Sequence, residues 1–203
     1  MIGMKQKTLL YMIRHGEPAI EYKDRFYGQM DIPLSDLGRR QSLNVAERLS
    51  SIPFDAIYSS DLQRAGFMAD ALAGPRELPV RKLEVFRERH FGAMQGMTEE
   101  EMKQTNPEGH QSWQENRYTG TVEGGENFQQ LKERVLPAVQ TLVEAFEGGR
   151  IVLVAHGGPI RVVLAHVLGM PIENIFQIVL DHACVNVVEY LPDAAPRVKL
   201  ING

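Results

Sequence analysis

The chain has 203 residues, enough to bury one sizeable core and barely enough for two. Its hydrophobic content of 43% and charged content of 24% are those of an ordinary globular protein, and a net charge of −4 carries no basic footprint for nucleic acid. The first apolar run is too short for a signal peptide, no run is long enough to span a membrane, and one cysteine, Cys184, cannot form an internal disulfide; a cytoplasmic protein is expected.

Residues 8–13 predict a strand that is apolar on both faces, as a central parallel strand should be. A long polar loop follows. Ser35 or Asp36 can cap a helix over about 36–50, with Leu43, Ala46 and Leu49 on one face. Residues 56–59 predict a short strand. Asp61 can cap the next helix, "LQRAGFMADALAG", which Gly74 and Pro75 end.

After Val80 the chain turns polar and irregular, and residues 98–118 read as helical but poorly apolar, an inserted subregion. "VEGGE" breaks the pattern. A long amphipathic helix over about 127–146 follows, with the stripe Phe128, Leu131, Val135, Val139, Leu142 and Phe146 and a bend at Pro137. Residues 151–155 form a second fully apolar strand. Pro159 suits the first turn of a helix to about 168. Residues 175–180 and 185–190 read as closing strands. Strands alternating with helices predict an α/β fold with a mainly parallel sheet. No linker is visible, so one domain over 1–203 is expected, with an insertion at about 98–123.

In open α/β sheets ligands bind beyond the carboxyl ends of the strands. "RHG" at 14–16 and "HGG" at 156–158 both occupy such ends, and their glycines would let a ligand approach the main chain. His156 precedes a helix N-terminus, where free N–H groups favour an anion. In "YSSDLQRA", residues 58–65, a third strand end leads to Arg64 in the first helical turn. Arg14 and Arg64 can converge on one phosphate, whose oxygens guanidinium groups bind in pairs. A lone strand-end histidine is more often structural; three such ends together favour a site. Two histidines without a third ligand give no metal site.

"RHGE" (14–17), "GQMDIPLSDLGRRQ" (28–41), "IYSSDLQRA" (57–65), "ERHFGAMQG" (88–96), "GGEN" (124–127) and "VAHGG" (154–158) occur in an order that resembles the histidine phosphatase, or phosphoglycerate mutase-like, superfamily. The resemblance implies a three-layer α/β/α sandwich with a helical insertion over the active site. It implies that His15 is the nucleophile and forms a phosphohistidine. Arg14, Arg64 and His156 would bind the phosphate, and Glu88 would protonate the leaving oxygen and later activate water. Arg87 and Arg89 should then point elsewhere. No cofactor and no metal are implied.

The substrate's organic part would lie under the insertion and the 18–31 loop. Glu17, Arg25, Tyr27, Gly28 and Gly157 are candidates, with His110, Trp113, Arg117 and Tyr118 behind them; Trp113 is better suited to anchoring the insertion. The family often has Asn four residues beyond the RHGE glutamate, where this chain has Glu21, and Pro18 follows Glu17. The short chain favours a phosphatase, most like the α-ribazole phosphatase and broad-specificity branch, with α-ribazole 5′-phosphate as candidate substrate. The alternatives are a phosphoglycerate mutase and a non-catalytic phospholigand-binding protein. The expected partner is a small phosphate ester, with neither nucleic acid nor membrane; a homodimer is left open.

Overall fold

The computed structural model describes residues 6–115, 118–120 and 123–203. Its strands are β1 (Thr8–Arg14), β2 (Ala56–Ser59), β3 (Val80–Lys82), β4 (Arg150–Ala155), β5 (Val185–Leu191) and β6 (Ala194–Leu200). Its helices are α1 (Asp36–Arg48), α2 (Gln63–Ala73), α3 (Glu99–Thr105), α4 (Pro107–Glu115), α5 (Phe128–Ala145) and α6 (Gly157–Val167), with short 3-10 segments between. One six-stranded sheet has the order β3-β2-β4-β1-β5-β6. The first four are parallel, and β5 and β6 close the sheet antiparallel. The sheet is thus mainly parallel, as expected.

Alternation along the strands divides the core into two layers. Leu10, Met12, Ile151, Leu153 and Val188 pack with Leu131, Val135 and Val139 of α5 and Val162 and Val163 of α6. Ile13, Ile57, Val152, Val154 and Val187 pack with Val45 of α1 and Ala65, Met68 and Leu72 of α2. Burial on both faces is why β1 and β4 read as unbroken apolar runs. Among the described residues no helix is long and apolar enough to cross a membrane.

Three expectations need correction, and one strand had no counterpart among them. Ser35 does cap α1, accepting from the Gly38 N–H at 2.9 Å, and Leu49 is buried with Ala46 packed beside it, but the helix also buries Gly38, Ser42 and Val45, and Leu43 is 53% exposed. The cause is a backbone contact: a Cβ on Gly16 would lie 2.2 Å from the Gly38 carbonyl oxygen. Docking Gly38 on Gly16 sets the rotation of α1 and turns Leu43 outward. Gly16 therefore makes room for α1 and not for a ligand.

Asp61 does not cap α2. Its carboxylate takes the Arg87 guanidinium, and Asp31, from the distant loop, accepts from the Gln63 N–H at 2.7 Å. Residues 175–180 are not a strand; Ile172–Gln177 is a 3-10 segment. The carbonyls of Ile178 and Leu180 accept from Arg161 and Arg14 instead of a sheet ladder. Finally, β6 went unread. Pro196, Arg197 and Lys199 mask it, and they are residues that suit a strand at a sheet edge.

The insertion is built from α3 and α4. Met94, Met102 and Trp113 form a satellite core with Phe26, Phe91 and Met97, so Trp113 is a packing anchor. His110 turns inward to Glu99 at 3.1 Å, and Arg25 binds Glu101 and the Gly96 carbonyl, both at 2.7 Å. Both side chains hold the insertion together and are not free to meet a substrate. Arg117 lies outside the described residues.

Candidate active site

The chain leaves β1 for α1 on one face of the sheet and leaves the neighbouring β4 for α6 on the other. Such a reversal opens a crevice at the carboxyl ends of the two strands. Arg14 pairs with Ala155 in the register, the His15 N–H donates to the Ala155 carbonyl at 3.1 Å, and the Ser60 N–H to the Val154 carbonyl at 3.0 Å. The ends of β1, β4 and β2 are therefore level, and their next residues share one crevice.

His15 is buried there, with Nδ1 at 2.7 Å from the Gly16 carbonyl oxygen. A carbonyl only accepts, so Nδ1 carries the hydrogen and Nε2 keeps the lone pair. Burial, then the charges of Arg64 and Arg14, hold the His15 pKa well below 6.5, so the ring is neutral near pH 7. The His156 ring lies 5.0 Å away at 58°. Its Nε2 is 2.7 Å from Ser60 Oγ, and burial with the charge of Arg64 likewise holds it neutral.

Arg64 is wholly buried and donates to the Met30 carbonyl at 2.7 Å and the Gly28 carbonyl at 2.6 Å. The Tyr27 ring lies 5.2 Å from its guanidinium carbon. Tyr27 and Gly28 thus act on Arg64: Gly28 has a φ of +38° and offers no side chain, and its carbonyl fixes the arginine. Arg14 donates to the Leu180 carbonyl. Arg14 Nε, Arg64 Nε and His156 Nδ1 are buried without a hydrogen-bond partner. Each of the two unpaired guanidinium N–H groups costs on the order of 1–3 kcal/mol, and an oxyanion beside them recovers that cost.

The Glu88 carboxylate sits at the N-terminus of α6. Both its oxygens are 3.1 Å from the Gly158 nitrogen, and Oε1 accepts from the Arg89 N–H at 2.8 Å. A Cβ on Gly158 would lie 2.2 Å from Oε1, so only glycine admits the carboxylate. Arg134 of α5 fixes the preceding backbone through the Val85 and Arg87 carbonyls. The guanidinium of Arg87 is taken by Asp61, and that of Arg89 lies between Phe91 and Phe128 at 4.5 and 4.6 Å.

Glu17 does not face a ligand. Its carboxylate accepts from Ser35 Oγ at 2.8 Å and its N–H donates to Gln41, so it fastens the start of α1. Pro18 pairs with Leu34, and Glu21 is exposed. The structure thus brings Arg14, His15, Tyr27, Arg64, Glu88, His156 and Gly157 together, with the Tyr27 side chain beside Arg14, Arg64 and Glu88, and places Glu17, Arg25, Gly28 and His110 in supporting contacts. Tyr118 packs on Phe128 and Phe176.

Three side chains at the site escaped the sequence reading. Ser60 holds His156. His182 has Nε2 at 3.0 Å from Arg14 Nη2, with its ring 5.8 Å from that of His15. Burial and the charge of Arg14 push its pKa down to about 4. Arg161, one turn into α6, has Arg14 and Glu88 as its charged neighbours. The available signal for His182 was topological: β5 runs antiparallel to β1, with Val185 opposite Ile13, so whatever precedes β5 meets the end of β1.

The model of the histidine phosphatase superfamily (branch 1) matches residues 10–202. The chain belongs to that superfamily. It is 38% identical over 172 residues to a glucosyl-3-phosphoglycerate phosphatase of Mycolicibacterium vanbaalenii, covering 81% of this chain and 76% of the relative. It is 27% identical over 180 residues to the adenosylcobalamin/alpha-ribazole phosphatase of Escherichia coli, covering 89% of each. A solved mycobacterial glucosyl-3-phosphoglycerate phosphatase superposes with a TM-score of 0.86 at 31% identity, over 98% of this chain and all of the other. Membership in this superfamily, with relatives named as phosphatases, supports a phosphoric monoester hydrolase.

Proposed function

We propose that this histidine phosphatase hydrolyses a small phosphomonoester through a phosphohistidine at His15. The observation that carries the reading is the pinned tautomer: Nδ1 bound to the Gly16 carbonyl leaves a buried, neutral Nε2 lone pair among two guanidiniums and a second imidazole. A neutral imidazole so held is a nucleophile. Arg14, Arg64 and His156 stabilise the charge on the three equatorial oxygens as phosphorus passes from oxygen to nitrogen.

In the first step Nε2 bonds to phosphorus, the P–O ester bond breaks, and Glu88 gives its proton to the leaving oxygen. In the second step a water attacks phosphohistidine, Glu88 takes the water's proton, the P–N bond breaks, and inorganic phosphate leaves with His15 neutral again. The cationic groups supply the charge neutralisation that a metal ion supplies elsewhere.

The test is a panel of phosphate esters that includes α-ribazole 5′-phosphate, assayed with a chelator present and with His15→Ala as control. Turnover that persists with chelator and vanishes in His15→Ala is expected. Turnover abolished by the chelator, or retained by His15→Ala, contradicts the reading.

A further inference from the structure

We propose that His182 is a positioning residue for phosphate capture: with the Leu180 carbonyl it clamps Arg14 by both terminal nitrogens and leaves the Nε edge to meet the phosphate, and Asn202 latches the loop that carries both anchors. This rests on the phosphatase reading above and adds to it a residue that acts through Arg14 and not on the substrate.

A guanidinium is a flat fork of N–H donors with no acceptor. Arg14 Nη1 donates to the Leu180 carbonyl, and Nη2 lies 3.0 Å from His182 Nε2, which must therefore accept. Anchors on both terminal nitrogens fix the plane of the fork. Tyr27 is a further hydrogen-bond partner of Arg14, whereas the buried Nε has none. The Nε–H is thus a donor held in reserve for an oxyanion. The three partners of Arg14 are a carbonyl, an imidazole and a phenol, all neutral. Arg64 is held in the same way, by the Gly28 and Met30 carbonyls. Neutral acceptors orient a cation without cancelling it, so the charge of both arginines stays available to phosphate. Burial, and then the charge of Arg14, hold the His182 pKa at about 4 against the opposing pull of Glu17 and Asp181, so the ring stays uncharged at neutral pH.

The loop before β5 is fastened on two sides. On the β1 side the Arg14 N–H donates to the Cys184 carbonyl and the Ala183 N–H to the His15 carbonyl, both at 3.1 Å. Ala183 has a φ of +61°, a left-handed conformation that alanine keeps only where its surroundings enforce it. On the other side the Asn202 amide grips Asp181 twice. Its Oδ1 accepts from the Asp181 N–H at 2.6 Å, and its Nδ2 donates to Asp181 Oδ2 at 2.8 Å. The Asn202 N–H donates in turn to Oδ1 of the buried Asn186, at 2.9 Å. Asp181 stands between Leu180 and His182 in the chain, so the latch sits between the two anchors of Arg14.

The experiment measures the Kd of inorganic phosphate by calorimetry at neutral pH, so that no turnover is needed. His182→Ala removes the acceptor and should weaken binding by about tenfold, the scale of one hydrogen bond to a charged group. His182→Gln offers a neutral amide oxygen near the position of Nε2 and should stay within about threefold of the wild type. His182→Glu offers an oxygen in the same shape with a negative charge; it should bind phosphate at least as weakly as His182→Ala, because it cancels Arg14. On an Arg14→Lys background His182→Ala should add little, since the residue acts through Arg14. Asn202→Ala should weaken binding in the same direction. A His182→Ala Kd equal to that of the wild type overturns the proposal, as does an equal loss on the Arg14→Lys background, or a His182→Gln as weak as His182→Ala. An unchanged Kd in Asn202→Ala overturns the latch. If His182→Ala does not fold, the His182→Gln and His182→Glu pair decides: equal Kd values overturn the proposal. A wild type that binds phosphate but does not hydrolyse p-nitrophenyl phosphate would instead count against the phosphatase reading.

Discussion

An arginine can only donate, so the 3.0 Å contact between Arg14 Nη2 and His182 Nε2 requires a neutral His182 with its lone pair on Nε2. The folded-state pKa of about 4 lies below the ordinary 6.5. Between those values the unfolded chain binds more protons than the folded one, so stability is lost as pH falls through that window. His15 and His156 are shifted in the same direction. Glu17 and Asp181 oppose the shift at His182 without reversing it. The urea midpoint should therefore drop between neutral pH and about pH 4.5, and His182→Asn should drop less steeply. An unchanged slope in His182→Asn contradicts this. His15, Arg14, Arg64, Glu88 and His156 were legible because each sits in a short motif. His182 and Ser60 were not, since 168 residues separate His182 from Arg14 and 96 separate Ser60 from His156. No local pattern encodes such pairs.

At the scale of elements, the N-terminus of α6 is a device for holding Glu88. Two carboxylate oxygens share the Gly158 N–H, in the space a side chain would fill. Gly158→Ala should therefore displace the carboxylate while leaving α6 intact. Activity should fall far more for an alkyl phosphate than for p-nitrophenyl phosphate, whose leaving group needs no proton. Equal losses on both would show that Glu88 is not the donor. Sequence reading found the strands that are buried on both faces and the stripe of α5, because these patterns are periodic. It misjudged the exposed face of α1, whose rotation is set by the Gly16–Gly38 backbone contact and not by apolar spacing. It made a strand of residues 175–180, whose carbonyls serve arginines at the site. It passed over β6, where edge position tolerates polar residues and proline.

Across the whole molecule, two layers of helices hold three strand ends level, and the buried cations converge where the chain direction reverses. These groups are costly in the folded protein: the pKa of Arg64 is lowered chiefly by burial, and that of Arg14's neighbour His182 by burial and by Arg14 itself. An oxyanion that binds only the folded state relieves that cost. Inorganic phosphate at about 100 times its Kd should stabilise by about 2.7 kcal/mol, raising Tm by several degrees. Arg64→Gln should lose most of that rise; a rise equal to the wild type would place the anion elsewhere. The insertion was legible as an interruption of the apolar pattern, but its support was not. Arg25 and His110 looked like substrate contacts, and only the folded chain shows them bound to Glu101 and Glu99.

The central claim, covalent catalysis by His15, is tested most directly by acid-free quenching of the enzyme during turnover of a phosphate ester labelled in its phosphoryl group. The account predicts a label that is stable to base, released by acid, mapped to His15 and absent from His15→Ala. Turnover with no labelled intermediate, or a label that maps elsewhere or survives His15→Ala, would contradict it.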